Sequence, residues 1–255
     1  MLLRNKVAVI HGAGGAIGSA VARTFAKEGA RLFLAGRNLP SVEAVANEIV
    51  TAGGEAVATE VDALDEDAVE SFTSDVAQRS GQIDVAFNAV GFDVVQGIPL
   101  SELSRADFVH PIVTWTTTQF LTATAAARRM IKQRSGVVLV LSSSPARVAL
   151  ASTTGFGVAC AAVEGLSRTL AAELGPHGVR VVCIRPHRIA DTLGPEPDFP
   201  VGGADAFRKL IESWTLLGRL TTLADVANMA AFLASDRAAA MTGTVANLTG
   251  GMSVD

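Results

Sequence analysis

The amino-acid sequence predicts one α/β domain built on a parallel sheet with helices over both faces. Three observations predict it. Apolar strand-like runs alternate with helix-like stretches through most of the 255 residues, the rhythm of strand–helix–strand units. Val7-Ala8-Val9-Ile10 and Val137-Val138-Leu139-Val140-Leu141 lack the polar alternation of a half-exposed strand, as strands covered on both faces do. Gly53-Gly54, Ser80-Gly81, Ser135-Gly136 and His177-Gly178 fall where helices hand over to strands, the place for a glycine at a helix C-terminus.

The elements follow in order. Residues 6–11 read as the first strand, and a helix over 16–28 opens directly after the glycine-rich turn that ends it. Residues 31–35 are the second strand and 41–52 the second helix. Residues 55–61 and 65–80 repeat the pair, as do 83–88 and a long, largely helical stretch over 101–133. The apolar run 137–141 is the fifth strand, followed by a small-residue helix over 155–174. Residues 179–184 are the sixth strand. After a looser region come a helix at 223–234 and a last strand near 244–248. Gly194-Pro195-Glu196-Pro197-Asp198-Phe199-Pro200 reads as a surface excursion of the kind that lids a site. No linker, repeat or low-complexity segment divides the chain, so 1–255 is read as a single domain, long enough to bury a core without disulfides or structural metal.

Composition narrows the function classes. Charged residues are 18%, below the roughly 25% of ordinary domains, and much of the 49% hydrophobic content is alanine. That suits close helix packing and a subunit interface rather than a bilayer. No segment approaches the roughly 18 uninterrupted apolar residues of a membrane span. The net charge is −4, and no basic patch points to nucleic acid. The N-terminus runs straight into a strand without a secretory pattern. Cys160 and Cys183 lie too far apart for a disulfide framework or a cysteine-rich metal site, so a reducing cytoplasm is the expected compartment. There is no tyrosine, which excludes any mechanism with a tyrosine acid.

The first strand runs into His11-Gly12-Ala13-Gly14-Gly15-Ala16-Ile17-Gly18. Glycines there let the backbone turn tightly and approach a pyrophosphate, while the helix start offers free N–H groups; the alternative is a tight structural turn. The G-x-G-x-x-G spacing does not fit, because its last glycine would fall on Ile17. The spacing instead resembles the short-chain dehydrogenase/reductase family, whose loop runs Thr-Gly-x-x-x-Gly-x-Gly. Gly12 and Gly18 match the outer glycines, Ala16 replaces the middle one and His11 the threonine. Val61-Asp62, Asn88-Ala89-Val90-Gly91, Leu217-Gly218-Arg219-Leu220, Asp225-Val226-Ala227, Phe232-Leu233-Ala234-Ser235-Asp236, Thr242-Gly243 and Gly250-Gly251 extend the resemblance over essentially the whole chain. It implies a Rossmann-like doubly wound sheet, a homotetramer, and cofactor contacts at Gly12, Gly15, Ile17, Gly18, Arg37, Asp62, Ala63, Asn88 and Ile189. The second strand ends in Ala35-Gly36-Arg37 with no acid. An acid there would bind the ribose hydroxyls of NAD, whereas the Arg37 fork suits the 2′-phosphate of NADP. Alternatively Arg37 is a solvated surface charge.

In the family a tyrosine exchanges the proton, a lysine four residues on lowers its pKa from about 10, a serine thirteen residues before it binds the substrate carbonyl, and an asparagine some twenty-eight residues before the serine holds a relay water. Aligned on Ala161-Ala162-Val163-Glu164-Gly165-Leu166, the tyrosine position is Phe156 and the lysine position Cys160. Ser143 keeps the serine, leaving it as the one catalytic residue that the resemblance supplies. The asparagine count lands on Trp115, flanked by Thr114 and Thr116. Removing a general acid alone typically costs roughly 10²–10⁴-fold. His187 in Arg185-Pro186-His187-Arg188-Ile189 stands where the family has the glycine that admits the nicotinamide.

His11 and His187 are candidate acids or bases, or a strand-end hydrogen bond and a plug in the nicotinamide site. Arg147, Arg185, Arg188 and Asp93 would form an anion or acid–base site around the cleft, or an ion-pair network. Ser143 has no identifiable base, and Cys160 reads as a buried thiol. Three functional readings result. The first is a family member without standard redox activity that serves as a binding or structural partner, with NADP held through its adenine half and an unknown small molecule as partner. The second is a non-redox cyclase, isomerase or lyase in a reshaped cleft. The third is an atypical NADP-dependent reductase that draws its proton from water or a histidine.

Overall fold

The computed structural model describes residues 1–193 and 203–254. Its seven strands are β1 (Val7–His11), β2 (Arg31–Gly36), β3 (Glu55–Glu60), β4 (Val85–Asn88), β5 (Gly136–Leu141), β6 (Val179–Pro186) and β7 (Thr244–Leu248). They form one parallel sheet in the order β3-β2-β1-β4-β5-β6-β7. The helices are α1 (Ala16–Lys27), α2 (Leu39–Thr51), α3 (Glu66–Ser80), α4 (Arg105–Gln133), α5 (Thr154–Leu174), α6 (Ala204–Ser213) and α7 (Leu223–Ala234). This is the expected Rossmann-like doubly wound arrangement.

Every residue of β1 is buried, because its side chains alternate between two cores. Ala8 and Ile10 join a layer with α1, α2 and α7 that includes Phe25, Val42 and Ala230. Val7 and Val9 join the opposite layer with α3, α4 and α5, around Phe72, Met130 and Val163. Burial of each large apolar side chain contributes roughly 1.5–3 kcal/mol. Arg180 of β6 closes one edge by donating to the carbonyls of Leu233, Ser235 and Met241 at 2.8, 3.1 and 3.3 Å.

Strand order reverses between β1 and β4, where His11 and Asn88 are register partners at the carboxyl ends. In open α/β sheets ligands bind at such a switch point. Among the described residues no helix is long and apolar enough to cross a membrane.

Three details differ from the sequence expectations. The long helix begins at Arg105 rather than 101, because the Ser104 hydroxyl caps it by accepting from the Asp107 amide at 3.0 Å. It ends on Arg134 in the left-handed conformation (φ 61°) rather than on a glycine. Helix α6 stands in the stretch read as looser, where Phe207, Leu210 and Ile211 carry an i, i+3, i+4 apolar stripe. The proline-rich 194–200 excursion, expected as a lid, lies outside the described residues.

Candidate functional site

The carboxyl ends of β1, β2 and β4 and the amino end of α1 enclose a cleft of about 400 Å³. Its floor is the Gly12–Gly18 loop. Gly12 has φ +73°, and a β-carbon there would lie 2.5 Å from the Ala89 carbonyl oxygen. A β-carbon on Gly18 would lie 2.2 Å from the Gly12 carbonyl oxygen. The two glycines therefore bring three backbone segments together at van der Waals contact. Helix α1 opens on Gly15, with no side chain capping it and no acid in its first turn, so its N–H groups and positive dipole end remain available to an anion.

At the far end of the cleft stand Arg37, Asn38 and Ser41. The Asn38 side chain caps α2 by accepting from the Ser41 amide at 3.1 Å, and the Ser41 hydroxyl donates to the Asn38 carbonyl at 2.8 Å. Arg37 is exposed. None of the described residues lining the cleft is acidic.

Of the expected cofactor residues, Gly12, Gly15, Ile17, Arg37 and Ala63 line the cleft. The structure does not bring the others to its surface. Gly18 packs behind the loop. Asp62 is exposed, and its carboxylate accepts from the Leu64 amide at 3.0 Å. Asn88 is a brace: its side-chain amide donates to the Thr118 carbonyl and the Thr122 hydroxyl, both at 2.9 Å, and its carbonyl accepts from the Val90 amide at 2.9 Å. Ile189 is buried, in a single bridge to Thr221. Sequence reasoning missed Ser41 and Thr192 as lining residues. The Asn38-x-x-Ser41 capping spacing was a usable signal for the first.

The residues at the family's catalytic positions are not among the described residues lining the cleft. Trp115 of α4 and Phe156 of α5 stack with ring planes 3° apart and centroids 5.6 Å apart. Phe92, after β4, tilts against both at 5.0 and 6.3 Å. Cys160, one turn further along α5, is fully buried; burial first, then the neighbouring Glu164 carboxylate, push its thiol up in pKa, so it stays protonated and neutral. Ser143 is half-buried and donates to the Pro186 carbonyl over 3.4 Å.

Arg185 does not join a ring of charges around the cleft. It is 2% exposed and forks onto Glu164 at 2.6 and 2.9 Å, while the Ser142 hydroxyl donates to the same carboxylate at 2.8 Å. Arg188 is exposed and lies over the Phe207 ring at 5.3 Å. Arg147 and Asp93 are exposed. The arginine–aspartate constellation thus resolves into a buried ion pair and surface charges.

Both candidate histidines are interior. His187 is 7% exposed, and its Nδ1 lies 2.7 Å from the Ser144 hydroxyl. Burial, and secondarily the Arg188 charge, lower its pKa. His11 is 2% exposed, meets Phe72 edge-on at 5.4 Å, and is held by burial at a pKa of about 4. It is therefore neutral near pH 7.

A family model described as Enoyl-(Acyl carrier protein) reductase matches residues 12–253. The chain is 33% identical over 253 residues to D-threitol dehydrogenase of Mycolicibacterium smegmatis, covering 99% of this chain and 94% of that protein. The chain belongs to the short-chain dehydrogenase/reductase family. The crystal structure of a short-chain type dehydrogenase/reductase from Mycobacterium marinum has 28% identity and a TM-score of 0.86, over 99% of this chain and 97% of that one. NAD⁺-bound xylitol dehydrogenase, with 24% identity and a TM-score of 0.90 over 98% and 100%, shares the fold. The family's relatives of this chain are named as dehydrogenases and reductases, and the switch-point cleft lies where a dinucleotide binds in such sheets.

Proposed function

We propose that the chain binds NADP through its phosphate and adenine half and does not carry out ordinary ketoreduction. The Trp115–Phe156 stack, 5.6 Å between centroids, carries this reading. It occupies the two positions where the family resemblance places the relay amide and the proton donor, and neither ring offers an acidic hydroxyl. Cys160, buried and neutral, supplies no charge at the lysine position.

The phosphate end fits the cofactor. Gly12 lets the loop close against Ala89, the α1 amino end is bare, and Arg37 lines the cleft with no acid among the described lining residues. Gly12, Gly15, Ile17 and Arg37 would hold the phosphates, and Ala63 would border the adenine. The nicotinamide end does not fit in the same way. Where the family glycine would leave room, His187 places an imidazole bonded to Ser144. Bound NADPH would supply a hydride, but no residue at this end is set to supply the accompanying proton through a phenol.

Calorimetric titration with NADP⁺ and NAD⁺, followed by NADPH oxidation assays on simple ketones and diketones, tests the proposal. The expected result is binding that favours NADP⁺, with turnover far below about 1 s⁻¹, the lower range of ordinary enzymes. Turnover at that level overturns it.

Two observations favour other chemistries. The 33% identity to D-threitol dehydrogenase favours a polyol oxidoreductase whose proton moves through water or a histidine; steady NADP⁺ reduction by D-threitol selects it. The Ser144–His187 hydrogen bond favours a non-redox isomerase or lyase, selected by turnover of a hydroxy-ketone without any dinucleotide. We also infer a homotetramer. Val113 and Phe120 of α4 and Val158 of α5 are 55%, 48% and 43% exposed in the single chain, an apolar surface that a second copy would cover; light scattering at the monomer mass overturns this.

A further inference from the structure

Behind the cleft lies a second, internal space. Its volume is about 10 Å³, and on this measure roughly 10–15 Å³ holds one water. His11, Asn88, Gln119 and Thr122 supply its polar lining, and His11 also lines the cleft.

The hydrogen-bond inventory of these four side chains is incomplete in a specific way. The Asn88 side chain is fully used: both amide protons are donated, to Thr118 and Thr122, and its Oδ1 accepts from the Val90 amide. The Thr122 hydroxyl donates to the Thr118 carbonyl at 2.8 Å and accepts from Asn88. Gln119 donates weakly to the Asn88 carbonyl at 3.4 Å, but its own side-chain oxygen accepts from no described residue. Neither ring nitrogen of His11 has a partner among the described residues. These residues are 1% and 2% exposed. Yet none of these three atoms is among the sealed, unpartnered ones, which among the described residues are Arg129 Nε and His187 Nε2. Each therefore borders open space. Leaving a buried polar atom unsatisfied costs roughly 1–3 kcal/mol, and a water with two to four polar partners removes that cost.

We propose that this space is a binding site for a single ordered water held by the His11 ring, the Gln119 side-chain oxygen and the Thr122 hydroxyl. The water makes His11 and Gln119 positioning residues for the Ala89–Gly91 wall of the cleft. That wall hangs from the same elements: the Ala89 amide donates to the His11 carbonyl at 2.9 Å, the Val90 amide to Asn88, and Gly12 packs against the Ala89 carbonyl. Bridging His11 to Gln119 ties the end of β1 to α4 across the end of β4. The site needs no dinucleotide, so its fate is separate from that of the proposed function.

A high-resolution crystal structure of the full chain, with ¹⁵N spectra of the histidine rings, provides the test. The expected result is a well-ordered water within hydrogen-bond distance of the His11 ring and Gln119, and a neutral, hydrogen-bonded ¹⁵N signature for His11. An empty space in the wild-type protein overturns the proposal outright. Gln119→Met should expel the water, move the His11 ring nitrogen to its unbonded shift, and speed amide exchange at Val90 roughly tenfold, as loss of one hydrogen bond predicts. Thr122→Ser, which keeps the hydroxyl and trims a methyl, should retain both the water and the exchange rate. Loss of the water in Gln119→Met with unchanged exchange at Val90 overturns the positioning role.

Discussion

The two ends of the site are made of different material. The phosphate end is built from backbone and space: glycines at 12 and 18 bring chain segments together, and the α1 amino end is left bare. The opposite end is built from packed side chains: the Phe92–Trp115–Phe156 cluster, the Glu164–Arg185 pair and the Ser144–His187 contact. The difference teaches where selection for binding and selection for packing now act. Substitutions in the aromatic cluster or the Glu164–Arg185 pair should register in stability and leave dinucleotide affinity alone. Substitution of the exposed Arg37 side chain at the open end should do the reverse, whereas the glycines at 12 and 18 answer to both.

The sharpest way to break this contrast is Glu164→Ala. It removes the carboxylate on which the buried Arg185 guanidinium forks, and removing one partner of a buried pair typically costs about 3–5 kcal/mol. Urea denaturation should show that loss, while the NADP⁺ affinity of the protein that remains folded changes little. A large affinity change would mean that the packed end still serves the ligand.

His11 gives the next largest effect, through pH. Its folded pKa of about 4 lies below the ordinary histidine value of 6.5. Between those values the unfolded chain binds more protons than the folded one, so stability is present above about pH 6.5 and falls as pH drops toward 4. The fall should approach 3 kcal/mol at about 1.36 kcal/mol per unit, and His11→Phe should remove this part of the pH slope. A denaturation series from pH 7 to 4 measures both.

Arg37→Ala probes the open end. A hydrogen bond to a charged group contributes about 1.5–3 kcal/mol, so the preference for NADP⁺ over NAD⁺ should fall by roughly tenfold or more in calorimetry, with the thermal midpoint almost unmoved. An unchanged preference would place the 2′-phosphate elsewhere. Asn38→Ala is the smallest change: loss of the α2 cap should cost about 1 kcal/mol, read in the thermal midpoint. Unlike Arg37, it should register in stability, because its side chain is bonded to the amino end of α2.

Much of this was legible in the sequence, for reasons that differ by element. Strands such as β1 and β5 announce themselves because burial on both faces demands an unbroken apolar run. The phosphate loop is legible because only glycine meets the close approaches at positions 12 and 18. The identities of Phe156, Cys160 and Trp115 were readable one by one, but their stacking was not, since it depends on how α4 and α5 pack. The same holds for Glu164 with Arg185, on α5 and β6, and for Ser144 with His187, 43 positions apart. A pattern of residue types cannot say which of several arginines turns inward. Asn88 illustrates the converse: the resemblance puts it at the cofactor, and nothing in the residue pattern shows the three hydrogen bonds that tie its side chain to the scaffold.

The aromatic stack has an optical consequence. With no tyrosine and two tryptophans in the chain, near-ultraviolet emission comes almost entirely from Trp115 and Trp214. The first is 5% exposed and pressed against Phe156; the second is 41% exposed, just beyond α6. A soluble quencher should therefore extinguish one emitter and spare the other. Loosening of the interior and rearrangement of the rim can then be followed as two separable colours from the unlabelled protein.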